Sequence, residues 1–110
     1  MLSFGANRIY LHAEPTDMRK SFNGLSALVR ASFPESLLTG ASFVFVNRRR
    51  THLKALYWDG DGFVIFHKRL ERGTFRVRWD GRSELTRREF TLLLEGVAPL
   101  RLHRRFSLTA

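Results

Sequence analysis

The spacing of apolar positions changes period along the chain, and each change predicts an element. Residues 8–13, RIYLHA, alternate loosely and predict a short strand. The pattern then turns helical, with Met18, Phe22, Leu25 and Val29 at i, i+4, i+7 and i+11 forming one apolar stripe. Thr16 or Asp17 is placed to cap that helix, because a short side-chain oxygen can accept an orphan backbone N–H. Phe33 marks its end, since a residue before proline is pushed out of the α region. Gly24 sits inside the helix at a cost of about 1 kcal/mol relative to alanine, which points to a close backbone contact there.

From Ser42 the period becomes two. SFVFVN is a strand, and THLKALYW is another, with Leu53, Ala55 and Tyr57 on one face and His52, Lys54, Leu56 and Trp58 on the other. DGDG, residues 59–62, predicts a hairpin, because glycine takes positive φ without steric cost. FVIFHKR is the return strand, LERGT the next turn, and FRVRW a further strand, with Phe75, Val77 and Trp79 alternating with Arg76 and Arg78. LTRREFTLLLEGV then predicts a helix with Thr86 and Glu89 at capping-box spacing, Leu85 and Phe90 as a hydrophobic staple, and Gly96 as terminator. Phe90, Leu93, Leu94 and Val97 form its apolar stripe. The expected fold class is α+β: an antiparallel meander of about four to five strands with two amphipathic helices, in the order β-α-β-β-β-β-α. Residues 1–98 read as a single α+β domain and 99–110 as a basic C-terminal tail, with no internal repeat.

Composition agrees with a folded domain: 44% of residues are hydrophobic and 13% aromatic. A chain of 110 residues is one domain by length. There is no cysteine, so neither a disulfide framework nor a thiolate metal site is open to it. No apolar run approaches the roughly 20 residues of a membrane span, and the N-terminus lacks the pattern of a signal peptide. A soluble, cytoplasmic protein is expected. Charge adds more. Nineteen Lys+Arg against ten Asp+Glu give a net +9, which favours a polyanionic partner, most commonly nucleic acid. All but Lys20, Lys54 and Lys68 of these cations are arginine, the better bidentate phosphate ligand.

Catalytic chemistry is hard to find. His12, His52, His67 and His103 are scattered without metal-ligand spacing, and Asp59 and Asp61 lack the further ligands of a calcium loop. Most of the ten acidic residues lie beside helix N-termini or turns, away from the grouping that a metal-dependent nuclease needs. No phosphate-loop or dinucleotide motif occurs. The expectation is a protein that is not an enzyme and uses no metal or cofactor.

Positive charge gathers in three places: Arg48, Arg49, Arg50 and Lys54; then Lys68, Arg69, Arg72, Arg76 and Arg78 against Glu71; then Arg101, Arg104 and Arg105 in the tail. If Trp58 pairs with Phe63 across DGDG, Lys54 lies opposite His67. If Arg69 pairs with Phe75, then Lys68, Arg76 and Arg78 share one sheet face. Each cation can be simply solvated; as a group they favour phosphate binding, since stacked like charges destabilise a fold unless an anion relieves them. The aromatic residues among them, Tyr57, Trp58, Phe63, Phe66, Phe75 and Trp79, can form a base-stacking platform, but core packing is the commoner use. Arg19 and Lys20 lie just after the expected cap, where cations oppose the helix dipole unless Asp17 and Glu14 neutralise them. With Phe22 they are the candidate docking residues for a protein partner.

Four ordered phrases, TDMRKSFNGL (16–25), LKALYWDGDGF (53–63), KRLERGTF (68–75) and LLLEGV (92–97), resemble one family. It is the small accessory protein, often called TnpB, encoded beside the transposase in the insertion-sequence sixty-six family of bacterial mobile elements, and distinct from the RNA-guided nuclease of that name. The resemblance covers residues 7–98. It implies a non-catalytic role in DNA transposition, alongside a co-encoded transposase and a second small accessory protein. It carries no catalytic residue over. The chain departs from the family pattern at FRVRWDGRSEL and in the tail after Pro99. Two roles follow as expectations: binding of duplex DNA through the basic clusters, or adaptor-like docking on the transposase or its partner subunit without DNA contact.

Overall fold

The computed structural model describes residues 8–33, 38–81 and 84–96. Its elements are β1 (Ile9–Leu11), α1 (Phe22–Ser32), β2 (Ser42–Val46), β3 (His52–Trp58), β4 (Phe63–Arg69), β5 (Glu84–Leu85) and α2 (Arg87–Glu95). The strands form one five-stranded sheet in the order β4-β3-β2-β1-β5. The α+β class and the element order agree with the sequence reading.

The sheet is mixed, which corrects the purely antiparallel expectation. β1 runs parallel to β2, with Ile9 beside Ser42 and Leu11 beside Val44, while the remaining pairs are antiparallel. The reason lies in connection length. β1 and β2 are joined through α1, and a helical crossover returns the chain in its starting direction. The tight turns after β2 and β3 reverse it.

Both sheet faces are covered. On one, Ile9, Leu11, Val44, Val46, Leu53 and Ala55 pack with Phe75, Val77, Phe90 and Leu93. On the other, Phe43, Phe45 and Leu56 pack with Leu25 and Val29 of α1. All five residues of β2 are therefore buried, as expected of a central strand with both faces covered.

FRVRW is not the strand its alternation predicts. Phe75 N–H bonds to the Arg50 carbonyl, and Val77 N–H turns back onto the Phe75 carbonyl, a three-residue turn that interrupts any ladder. The segment instead lies over the face shared with α2, burying Phe75 and Val77 and exposing Arg76 and Arg78. Alternation marks a chain with one side on a core; it does not say whether that chain pairs in the sheet or lies across it. The edge strand beside β1 is β5, which pairs with Ile9 and Tyr10.

α1 also begins later than its stripe suggests. Asp17 Oδ1 accepts the Arg19 N–H at 2.9 Å and closes a turn, and Thr16 Oγ1 donates to the Glu14 carbonyl, so neither caps the helix. Ser21 takes the cap position without a side-chain bond. Met18 still packs on the core, but Phe22 is 46% exposed. At Gly24 an added Cβ would meet the Lys20 side chain at 3.1 Å, so the tight neighbour is that aliphatic stem and not a backbone.

α2 follows expectation. Glu89 N–H donates to Thr86 Oγ1 at 3.0 Å and Thr86 N–H to Glu89 Oε1 at 2.8 Å, a closed capping box. Gly96 ends it at φ 71°, ψ 173°. Val97 and the 99–110 tail lie outside the described residues. Among the described residues no helix is long and apolar enough to cross a membrane.

Candidate nucleic-acid interface

The two described basic clusters meet through backbone hydrogen bonds. Asn47 organises the β2–β3 turn: its Oδ1 accepts the N–H of Thr51 at 2.8 Å and of His52 at 2.9 Å. Arg50 N–H donates to the Asn47 carbonyl, and Arg50 takes φ 60°, an uncommon conformation for a non-glycine residue. The carbonyls of this turn then hold the next loop. Thr51 accepts from Leu70 N–H at 2.9 Å and Arg50 from Phe75 N–H at 2.7 Å. The segment carrying Arg69 and Arg72 is thereby tied beside Arg48, Arg49 and Arg50, at one end of the sheet.

The side chains in this region divide by what they touch. Arg48 and Arg49 are exposed at the turn and have no acidic partner among the described residues. The Arg50 guanidinium lies 4.9 Å from the centre of the Trp79 ring, a cation–π contact that joins the two clusters a second time. Arg69 Nε donates to Glu71 Oε2 at 2.9 Å on the exposed surface. Arg72, Arg76 and Arg78 are exposed.

Both lysines of the predicted set are engaged elsewhere. Lys54, opposite His67 as the hairpin register requires, is only 8% exposed. Its Nζ donates to the carbonyls of Met18 at 2.9 Å and Lys20 at 2.8 Å, fastening the turn before α1 onto the sheet. Lys68 does not share a paired face with Arg76 and Arg78, because β4 pairs only with β3. Its Nζ donates to the Leu94 carbonyl at 2.7 Å, placing a cation on the C-terminal end of α2 where the helix dipole favours one. The aromatic residues among the cations follow the commoner expectation of core packing: Phe75 is fully buried, and Phe66 and Trp79 pack against the same cluster. Trp58 and Phe63 face each other edge-on across the hairpin.

The candidate docking residues lie around the turn before α1. Arg19 binds both Asp17 carboxylate oxygens, with its Nη2 2.7 Å from Oδ2, and these bonds pull the Asp17 carboxyl down to about 2. Lys20 is exposed and its stem packs on Gly24. Phe22 is exposed beside them.

The fold also brings together two histidines that lie far apart in the sequence. His52 Nδ1 and His67 Nε2 are 3.0 Å apart across β3 and β4. One nitrogen must donate and the other accept, with the roles set by the tautomers of the two rings. The His67 imidazole is held below its ordinary value, by burial first and then by Lys54, His52 and Arg69. The signal was available: once Lys54 faces His67, His52 is the diagonal neighbour. Among the described residues no three His, Asp or Glu side chains gather as a metal-ligand set.

The profile of the family described as IS66 Orf2 like protein matches residues 7–104. The uncharacterized protein y4jC of Sinorhizobium fredii is 37% identical over 101 residues, covering 89% of this chain and 86% of the relative. The uncharacterized protein y4hO of the same organism is 40% identical over 76 residues, covering 68% of this chain and 66% of the relative. No solved structure matches. The family match spans every described element, and with it the chain belongs to the IS66 Orf2-like family, whose members have a transposition-associated accessory role.

Proposed function

We propose that this protein is a non-catalytic DNA-binding accessory factor of transposition, assisting a separate transposase in the bacterial cytoplasm. Arg48, Arg49, Arg50, Arg69, Arg72, Arg76 and Arg78 contact the phosphates of duplex DNA, positioning the protein without reading sequence. Lys54 and Lys68 are left out of this set because their ammonium groups already serve backbone carbonyls. The observation that carries the reading is the double tie from the β2–β3 turn to the segment after β4, which gathers arginines distant in sequence at one end of the sheet. The test is fluorescence anisotropy on a labelled duplex at low and moderate salt. Binding should be tight at low salt and fall steeply as salt rises. Absence of binding at low salt, or a salt-independent affinity, would overturn the proposal.

A second reading has its own support in the exposed Phe22 beside Arg19 and Lys20. An apolar ring with a cationic margin suits docking on the transposase or its partner subunit. Capture of the co-encoded transposase should then weaken on Phe22→Asp and survive Arg48→Gln with Arg49→Gln. The opposite pattern would place the transposase contact on the arginines.

A further inference from the structure

Among the described residues, strand β4 leaves one rim of the sheet open. Asp59 N–H bonds to the Gly62 carbonyl and Leu70 N–H to the Thr51 carbonyl, at the two ends of the β3–β4 ladder. Antiparallel pairing alternates, so Val64, Phe66 and Lys68 turn their backbone groups toward β3. Phe63, Ile65, His67 and Arg69 turn theirs outward. The neighbouring ladder agrees, since Asn47 N–H bonds to the His52 carbonyl and assigns the alternate residues of β3 to β2. Among the described residues no backbone hydrogen bond reaches the outer rim of β4. β4 is 7 residues long, whereas the opposite edge strand, β5, has 2. A long edge with half-buried Phe63, Val64, Ile65 and Phe66 is a template for another strand.

Charge along this rim names the strand that fits. The hairpin entering β4 carries exposed Asp59 and Asp61, with no cation between Trp58 and Phe63. The other end carries Arg69 and Arg72, beside Arg48 and Arg49 of the adjoining turn. A strand with an acidic head and a basic foot complements an antiparallel copy of itself.

We propose that β4 pairs with β4 of a second copy of this chain, antiparallel about a two-fold axis at Ile65, giving one continuous sheet across two subunits. In this register Ile65 faces Ile65 of the second copy, Phe63 faces His67 and Asp61 faces Arg69. Every outward-facing residue of β4 meets another outward-facing residue, as hydrogen-bonded pairs require, and between residues 61 and 69 no like charges stand directly opposed. The contact is isologous and closed, so it ends at a dimer. Both apolar clusters extend across it, Phe63 and Ile65 on the α1 face and Val64 and Phe66 on the other.

The test is sedimentation of the full chain across a wide micromolar range, with amide hydrogen exchange on the same samples. The wild type should be a dimer, with the Ile65 and His67 amides protected. Ile65→Pro removes one outward N–H at an edge position where proline is tolerated, and should give a folded monomer. Asp61→Arg, on an exposed loop, should weaken the dimer several-fold, and adding Arg69→Asp should restore it. A wild-type monomer overturns the proposal, including one whose Ile65 amide is protected by the chain's own remaining residues. A dimer of unchanged affinity in folded Ile65→Pro overturns it too. Should Ile65→Pro fail to fold, unchanged dimer affinity in Asp61→Arg does the same.

Discussion

Removing Arg48 and Arg49 separates a phosphate-binding surface from a merely basic protein. Each phosphate contact contributes about 0.9 to the slope of log affinity against log salt on duplex DNA. Seven arginines engaged together give a slope of about −6, and affinity falls by between 10³ and 10⁴ from about 50 to about 200 mM salt. Arg48→Gln with Arg49→Gln removes two contacts, and the slope should rise to about −4.5, leaving a fall of roughly 500-fold. Both side chains are exposed and unpaired among the described residues, so the fold should be unaffected. Arg50 is left in place because its carbonyl holds Phe75 and its guanidinium covers Trp79. Lys54→Met is the control. On a simple count of charge it should cost as much slope as either arginine. On the geometry it should leave the slope unchanged and lower stability instead, because two hydrogen bonds from a nearly buried ammonium are lost. Hydrogen bonds to charged groups contribute roughly 1.5–3 kcal/mol each, partly offset by relief of desolvation, so a net loss of about 2–4 kcal/mol is expected. Anisotropy titrations at several salt concentrations measure the slopes, and urea unfolding measures the stabilities. A folded Lys54→Met that flattens the slope as one arginine does, or a double arginine variant that leaves it intact, would refute this division of the cations.

Gly96→Ala should destabilise the domain by about 2–4 kcal/mol in urea melts, because a φ of 71° with ψ 173° is nearly closed to alanine and its Cβ would stand 2.7 Å from Leu70 Cδ1. Adding Leu70→Ala should recover only the smaller, steric part, and full recovery would show the backbone account to be wrong. Thr86→Ala opens the capping box and should cost about 1 kcal/mol; an unchanged urea midpoint would contradict that. Burial, aided at His67 by neighbouring cations, holds His67 and His12 below their ordinary 6.5. As pH falls through that value the unfolded chain takes up protons that the folded chain resists, so this share of stability is present above 6.5 and is lost toward the lower folded values. Urea midpoints at about pH 7.5 and about pH 5.5 should show the decline, and His67→Gln should reduce it; a midpoint rising on acidification would reverse the sign and refute the argument.

The cations of this protein divide by chemistry. A lysine ammonium is compact and can be spent on backbone carbonyls, as Lys54 is on two and Lys68 on one. An arginine fork is harder to saturate with scattered carbonyls, and the arginines of both clusters remain at the surface. Net charge therefore overstates the binding surface by the cations that hold the fold together.

Local pattern was enough for much of the fold. Periodicity located both helices and the paired strands β2, β3 and β4, because burial on one side imprints itself on a helix every 3.6 residues and on a strand every two. The DGDG hairpin placed Lys54 opposite His67, and the Thr86–Glu89 box placed the start of α2, because each is set by residues a few positions apart. The sequence alone also fixed net charge and the identity of the arginines. What it left open are contacts between segments remote in the chain. Whether FRVRW pairs with β4 or crosses the sheet was decided by the Arg50 carbonyl and by the depth of Phe75 in the core. The direction of β1 was decided by its pairing with β2 beyond α1. The fate of Lys54 was decided by two carbonyls some 34 to 36 residues away. A side chain's chemistry is written at its own position, but whether it is spent inside the fold or presented to a partner depends on what packing brings against it.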